Sequence, residues 1–235
     1  MFYSGLPGYD YKVQTCWDKE RSETTWRSYN YPHVTAVYWA LYRLARTNIS
    51  SSYSSTTGTT DEAKSKDAAA TTPLASLQPW MWYLAQAVNT TKAMLTFGNY
   101  NQFGLMVGSV FLELLLDLQA EGWIDEYTAI DQAMNSRAQA WAALPFPFGS
   151  EMPWDSTGQE EVYTWCRRYG LTQAWQDTLD AVVAYTPRIA TWGYHGNARR
   201  YFDFLVYGGE NTGTERCLHH YGAPLNSIPV LDAYR

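Results

Sequence analysis

Apolar residues recur along this chain at steps of three and four. From His33 onward, Val34, Val37, Tyr38, Leu41, Leu44 and Ala45 trace one face of a helix. Pro32 stands where a helix start tolerates its missing N–H. Residues 1–31 keep no sustained period and read as an irregular lead-in, so the main domain is taken as 32–235. Residues 49–72 are dominated by Ser, Thr and Ala and bury too little apolar surface to offset ordering, so a surface loop is expected there. After Pro73 the period predicts helices over about 74–96, 102–121, 124–143, 157–169, 172–186, 197–208 and 214–221. The links carry Gly, Asn or Pro, as at Gly98, Gly122, Gly170 and Pro187. Short links force neighbours to run antiparallel, and no period-two strand stands out. The pattern predicts an all-α chain of antiparallel helical hairpins.

The most apolar stretch, Phe103 to Trp123, is interrupted by Glu113, Asp117 and Glu121. Their four-residue spacing makes one polar stripe on an amphipathic helix, not a membrane span. The net charge of −6 argues against nucleic acid and anionic membranes as partners. No charged-then-apolar leader opens the chain. Asn48-Ile49-Ser50 and Asn89-Thr90-Thr91 are glycosylation sequons, which point toward secretion. Cys16, Cys166 and Cys217 form neither a disulfide framework nor a metal spacing, and burial as small apolar residues is expected. No phosphate loop, zinc-protease motif or nucleophile elbow is present, and no cofactor is implied.

Eleven Trp and nineteen Tyr exceed what a core usually holds. Aromatic rings also stack on the C–H faces of sugars. The densest stretch is Pro145 to Tyr163, where three prolines and two glycines make a loop that runs into a helix. Ser156-x-x-Gln159 and Thr157-x-x-Glu160 both fit a capping box, placing the helix start near Thr157. Glu160 is then expected to bond backbone donors at its own helix start, leaving Glu161 the freer acid. Glycoside hydrolysis needs two facing carboxyl groups, one protonated near neutral pH, and burial against aromatics raises a carboxyl pKa. Glu161 is the candidate general acid and Asp155 the candidate base or nucleophile. Glu151, Trp154, Gln159, Tyr194, His195, Arg199, His219 and His220 are candidate substrate-binding residues at helix–loop junctions, expected to gather at one mouth. His219 and His220 point about 100° apart on a helix, so a metal is not expected there.

Met152-Pro153-Trp154-Asp155-Ser156-Thr157-Gly158-Gln159-Glu160-Glu161-Val162-Tyr163 and Trp192-Gly193-Tyr194-His195-Gly196-Asn197-Ala198-Arg199-Arg200-Tyr201 resemble motifs of the six-hairpin glycosidase-like proteins. The chain is similar in particular to a group of microbial, often fungal, secreted proteins, over about residues 75 to 235. The resemblance implies an (α/α) toroid acting on a poly- or oligosaccharide. Six hairpins need twelve helices and roughly 300 residues, more than the pattern supplies. The domain therefore reads as a toroid or part of one, which another chain or segment would complete. Two further readings stay open. One is a polysaccharide lyase with Tyr194 or His195 as base and Arg199 or Arg200 neutralising a uronate. The other is a non-catalytic carbohydrate-binding or assembly protein.

Overall fold

The computed structural model describes residues 19–54, 77–98, 103–145, 158–184 and 222–235. Eight helices lie within them: α1 Lys19–Ser22, α2 Asn30–Ser54, α3 Trp80–Phe97, α4 Gly108–Ala120, α5 Ile124–Ala142, α6 Gly158–Arg168, α7 Thr172–Ala184 and α8 Gly222–Tyr234. The described residues contain no β-strand, and the fold is all-α.

Three hairpins follow one another. Between α4 and α5 the Trp123 N–H bonds the Leu118 carbonyl at 2.9 Å and the Gly122 N–H bonds Gln119 at 3.2 Å. Leu171 to Cys166 and Gly170 to Arg167 repeat this pattern between α6 and α7. Both are Schellman turns, which need a left-handed residue; Gly122 (φ 77°) and Gly170 (φ 69°) supply it without a Cβ penalty. In the α2/α3 hairpin, Tyr42 packs on Trp80 and Tyr38 on Trp82, so the helices run antiparallel. Helix α8 rests on α6 and α7.

The core is shared by α3, α4, α5 and α6. Leu84, Met94, Phe111, Leu114, Leu115, Leu118, Met134, Trp141 and Trp165 are fully buried. Each such side chain contributes about 1.5–3 kcal/mol of transfer free energy. Part of the aromatic excess is therefore core material.

Several boundaries differ from the sequence pattern, each for a physical reason. Helix α2 continues to Ser54, into the stretch expected to loop, because no Gly or Pro interrupts propagation there; residues 55–76 lie outside the described ones. Helix α3 starts only at Trp80, since Pro79 (φ −61°, ψ 148°) is extended and disfavours helix before it. Helix α4 starts at Gly108 rather than near 102, after Val107 turns left-handed at φ 53°. The expected helices at 197–208 and 214–221 lie outside the described residues. Helix α8 lies beyond the last helix that the period predicts; Pro229 sits inside it, where a proline removes a helical donor.

The acidic stripe of α4 is a clamp. Asp117 accepts from Trp39 Nε1 (2.9 Å) and Arg43 (2.7 Å), and Glu121 from Tyr42 Oη (3.0 Å) and Arg46 Nε (2.8 Å). Arg43 lies over the Trp39 ring and Arg46 over Trp80. Asp117→Ala is expected to cost about 1–3 kcal/mol in urea unfolding, since it takes the acceptor from a partly buried indole N–H and a half-exposed guanidinium. A loss under about 0.5 kcal/mol would show that the clamp contributes no more than a surface pair.

Candidate functional site at the head of α6

Helix α6 begins with Gly158, and Gly158 crosses the chain at Gly104. A Cβ on either glycine would collide with the other's carbonyl oxygen. One turn on, a Cβ on Gly108 would lie 2.6 Å from the Glu161 Cα. Residues 103–107 thus form a strap laid directly on the α6 backbone. The three glycines make that approach sterically open.

Glu160 and Glu161 bond the strap's donors. Glu160 accepts from the backbone N–H of Gly108 (2.7 Å) and of Ser109 (2.8 Å). It thereby caps α4; the capping box expected within its own helix turns on Thr157, which lies outside the described residues. Val107, at the N-cap position of α4, has no side-chain acceptor, so the orphan donors take one from α6. The α4 dipole favours an anion there. Glu161 accepts from Leu105 N–H at 2.5 Å and from Arg137 Nη2 at 3.2 Å. Arg137 also donates to the Phe103 carbonyl and stacks over Trp141.

Both carboxyls are fully buried, so Glu161 is not the freer acid of the pair. Burial pushes the Glu160 pKa up against its backbone donors, and the neighbouring Glu161 pushes it further. Burial likewise raises that of Glu161, against Arg137 and Leu105. A raised carboxyl pKa suits a general acid, but neither carboxyl has exposed surface.

Gln159 is fully buried as well, and its Oε1 accepts from Asn226 Nδ2 of α8 at 3.0 Å. It ties two helices together instead of facing an open mouth. Lower on α6, Tyr163 donates to Asp232 at 3.0 Å and accepts from Arg167 Nη1 at 3.0 Å. Arg167 pairs with Asp232 as well. Burial raises the Tyr163 pKa, with Arg167 opposing. Cys166 is free and buried, its thiol pushed up to about 12 by desolvation. Cys16 and Cys217 lie outside the described residues.

Between α4, α6 and α8 opens a cleft of about 670 Å³, lined by Ser109, Glu113, Tyr163, Thr164, Arg167 and Asp232 among others. Ser109, which follows the strap and donates its N–H to Glu160, lines the cleft, so the cleft starts beside the strap. Sequence reasoning missed Arg137, Arg167, Asp232 and the strap itself. The available signal was Gly104 and Gly108, four apart in an otherwise helical run. Glu151, Trp154, Asp155, Tyr194, His195, Arg199, His219 and His220 lie outside the described residues. Among the described residues no group of His, Cys, Asp or Glu could hold a metal, and no helix is long and apolar enough to cross a membrane.

The model of the family of unknown function DUF5695 matches residues 3–235. The chain belongs to this family. The DUF5695 match takes in the strap, α6 and α8. No curated protein and no solved structure matches the chain.

Proposed function

We propose that this chain is a carbohydrate-active protein, a whole or partial (α/α) toroid, that hydrolyses a glycosidic bond in a poly- or oligosaccharide. The observation that carries the reading is the cleft beside the strap. The aromatic, acid-rich stretch of sequence ending at Thr157 directly precedes α6, whose exposed side borders this cleft. Asp155 stands three residues before Gly158, and three extended residues span at most about 11 Å. The resemblance of residues 152–163 and 192–201 to six-hairpin glycosidase-like proteins supports the same reading, as do the consecutive antiparallel hairpins. Secretion belongs to the proposal, with Asn89 exposed on α3 for its sequon.

In this reading the sealed Glu161 fixes the strap. The carboxyls assigned to the chemistry are Asp155 and Glu113, which is exposed and lines the cleft, while Asp232 of the same lining is paired with Arg167. The test measures turnover of neutral and acidic glycans by wild type, Asp155→Asn, Glu113→Gln and Glu161→Gln. Each of the first two is expected to lower turnover about 10²-fold with the melting temperature unchanged. Glu161→Gln should instead lower the melting temperature. Unchanged turnover in both Asp155→Asn and Glu113→Gln overturns the mechanism. A conjugated double bond in the product assigns the reaction to a lyase, with Tyr194 or His195 as base.

One observation favours a non-catalytic second reading. Both acids of the α6 head are fully spent on structure. Glycan binding without turnover on the whole panel would establish it.

A further inference from the structure

A second cleft, of about 480 Å³, opens on the α7 side of α6 and meets the first at Tyr163 and Arg167. The last turn of α8 borders both. At the meeting point the Asp232 carboxylate receives the Tyr163 hydroxyl and the Arg167 guanidinium. Arg167 is held in place by Tyr163 Oη and lies 5.8 Å from the Tyr163 ring centroid and 6.0 Å from that of Trp175. A fixed guanidinium, a phenol donor and a flanking indole form a seat built for a carboxylate.

We propose that this seat binds the carboxylate of an acidic glycan, a uronic acid residue, and that Asp232 occupies it in the free protein. The inference rests on the carbohydrate-active reading and names its substrate class. Burial distinguishes the seat from the ion pair under the strap. The Arg167 and Asp232 side chains are 44% and 42% exposed, against 10% and 0% for Arg137 and Glu161. A ligand therefore reaches Arg167 without opening the core. The occupant is lightly held: Leu231 and Tyr234 of the same turn are exposed, and Pro229 removes a backbone donor one turn earlier. With the carboxylate on Arg167 and Tyr163, the sugar's C–H face meets Trp175, and its hydroxyls have as acceptors Gln176, Asp177 and Asp180, which line the second cleft.

Calorimetric titration with trigalacturonate, and with galactotriose as the neutral counterpart, tests the seat. Asp232→Ala empties it and is expected to bind trigalacturonate about five-fold tighter than wild type, the factor an exposed intramolecular pair costs to displace. Arg167→Gln should weaken binding about ten-fold or more, and Arg167→Lys, which keeps charge but not the fork, should fall between. The Lys variant carries the test if the Gln variant fails to fold, as melting curves will show. Equal trigalacturonate affinity in wild type and the Arg167 variants overturns the proposal. Galactotriose bound alike by every variant, with no preference for trigalacturonate, overturns the seat and leaves the carbohydrate reading standing. Arg167-dependent binding of acetate with no binding of either sugar overturns the uronic acid as ligand, and the glycan panel then decides the carbohydrate reading separately.

Discussion

Glu161→Ala is expected to lower the unfolding free energy by about 3–5 kcal/mol, the largest effect of any single carboxyl in the described structure. The carboxyl is fully buried and receives two donors, the Leu105 N–H and Arg137. Removing it takes from a guanidinium only 10% exposed the carboxylate it pairs with here, and takes from the strap the acceptor of the Leu105 N–H. The buried Leu105 N–H cannot turn to water, so its desolvation is left uncompensated, and the guanidinium loses its charged partner in a site that water barely reaches. Equilibrium urea unfolding checks the magnitude, and a loss below about 1 kcal/mol would show that the strap re-pairs elsewhere. The partner test is Glu161→Leu combined with Arg137→Met. Replacing both charges by apolar groups of similar volume should recover most of the loss, because it removes the pair together instead of splitting it.

The same site fixes the sign of a pH effect. Burial raises the Glu161 carboxyl above its ordinary value near 4.5, so between that value and the raised one the folded state binds more protons than the unfolded. Unfolding free energy then falls as pH rises through this window. Glu161→Gln does not titrate there. Its deficit relative to wild type should be largest at the acid end and shrink as pH rises. A deficit that grows with pH would mean that Arg137 and Leu105, not burial, control the carboxyl.

What the sequence made legible follows from the range over which each signal acts. Helices α5, α6 and α7 lie close to their expected bounds, because the Gly122 and Gly170 turns are local and each glycine stands where its helix ends. The head of α6 was only half legible. Thr157-x-x-Glu160 marks a helix start correctly, yet the donors that Glu160 satisfies belong to a helix fifty residues earlier. A capping pattern carries no information about a partner that distant. Leu105, Met106 and Val107 run on from the apolar stretch that forms α4, and only the contact with α6 makes this segment a strap. The acidic stripe of α4 was visible as a stripe, but its role depends on Arg43 and Arg46 of α2. Trp141 and Trp165 were counted among an aromatic excess suited to sugars, and both are fully buried. Composition cannot tell a buried ring from a stacking platform.

Gly104→Ala and Gly158→Ala are each expected to cost about 3 kcal/mol, at the upper end of overpacking effects. At both positions the new methyl meets a backbone carbonyl oxygen, which cannot rotate aside as a side chain can. The strap would have to lift from α6, stretching the bonds from Leu105 to Glu161 and from Gly108 and Ser109 to Glu160. Gly122→Ala and Gly170→Ala are the controls. Those glycines have positive φ with open space around the missing Cβ, so alanine there costs only the left-handed backbone penalty, about 1–2 kcal/mol. The expected order is therefore the reverse of what backbone angle alone would give: the crossing glycines suffer more than the positive-φ ones. The double variant Gly104→Ala/Gly158→Ala should lose much less than the sum, because one lifted strap relieves both collisions. Full additivity in urea unfolding would place the two glycines in separate contacts and remove the crossing from the account of how α6 is held.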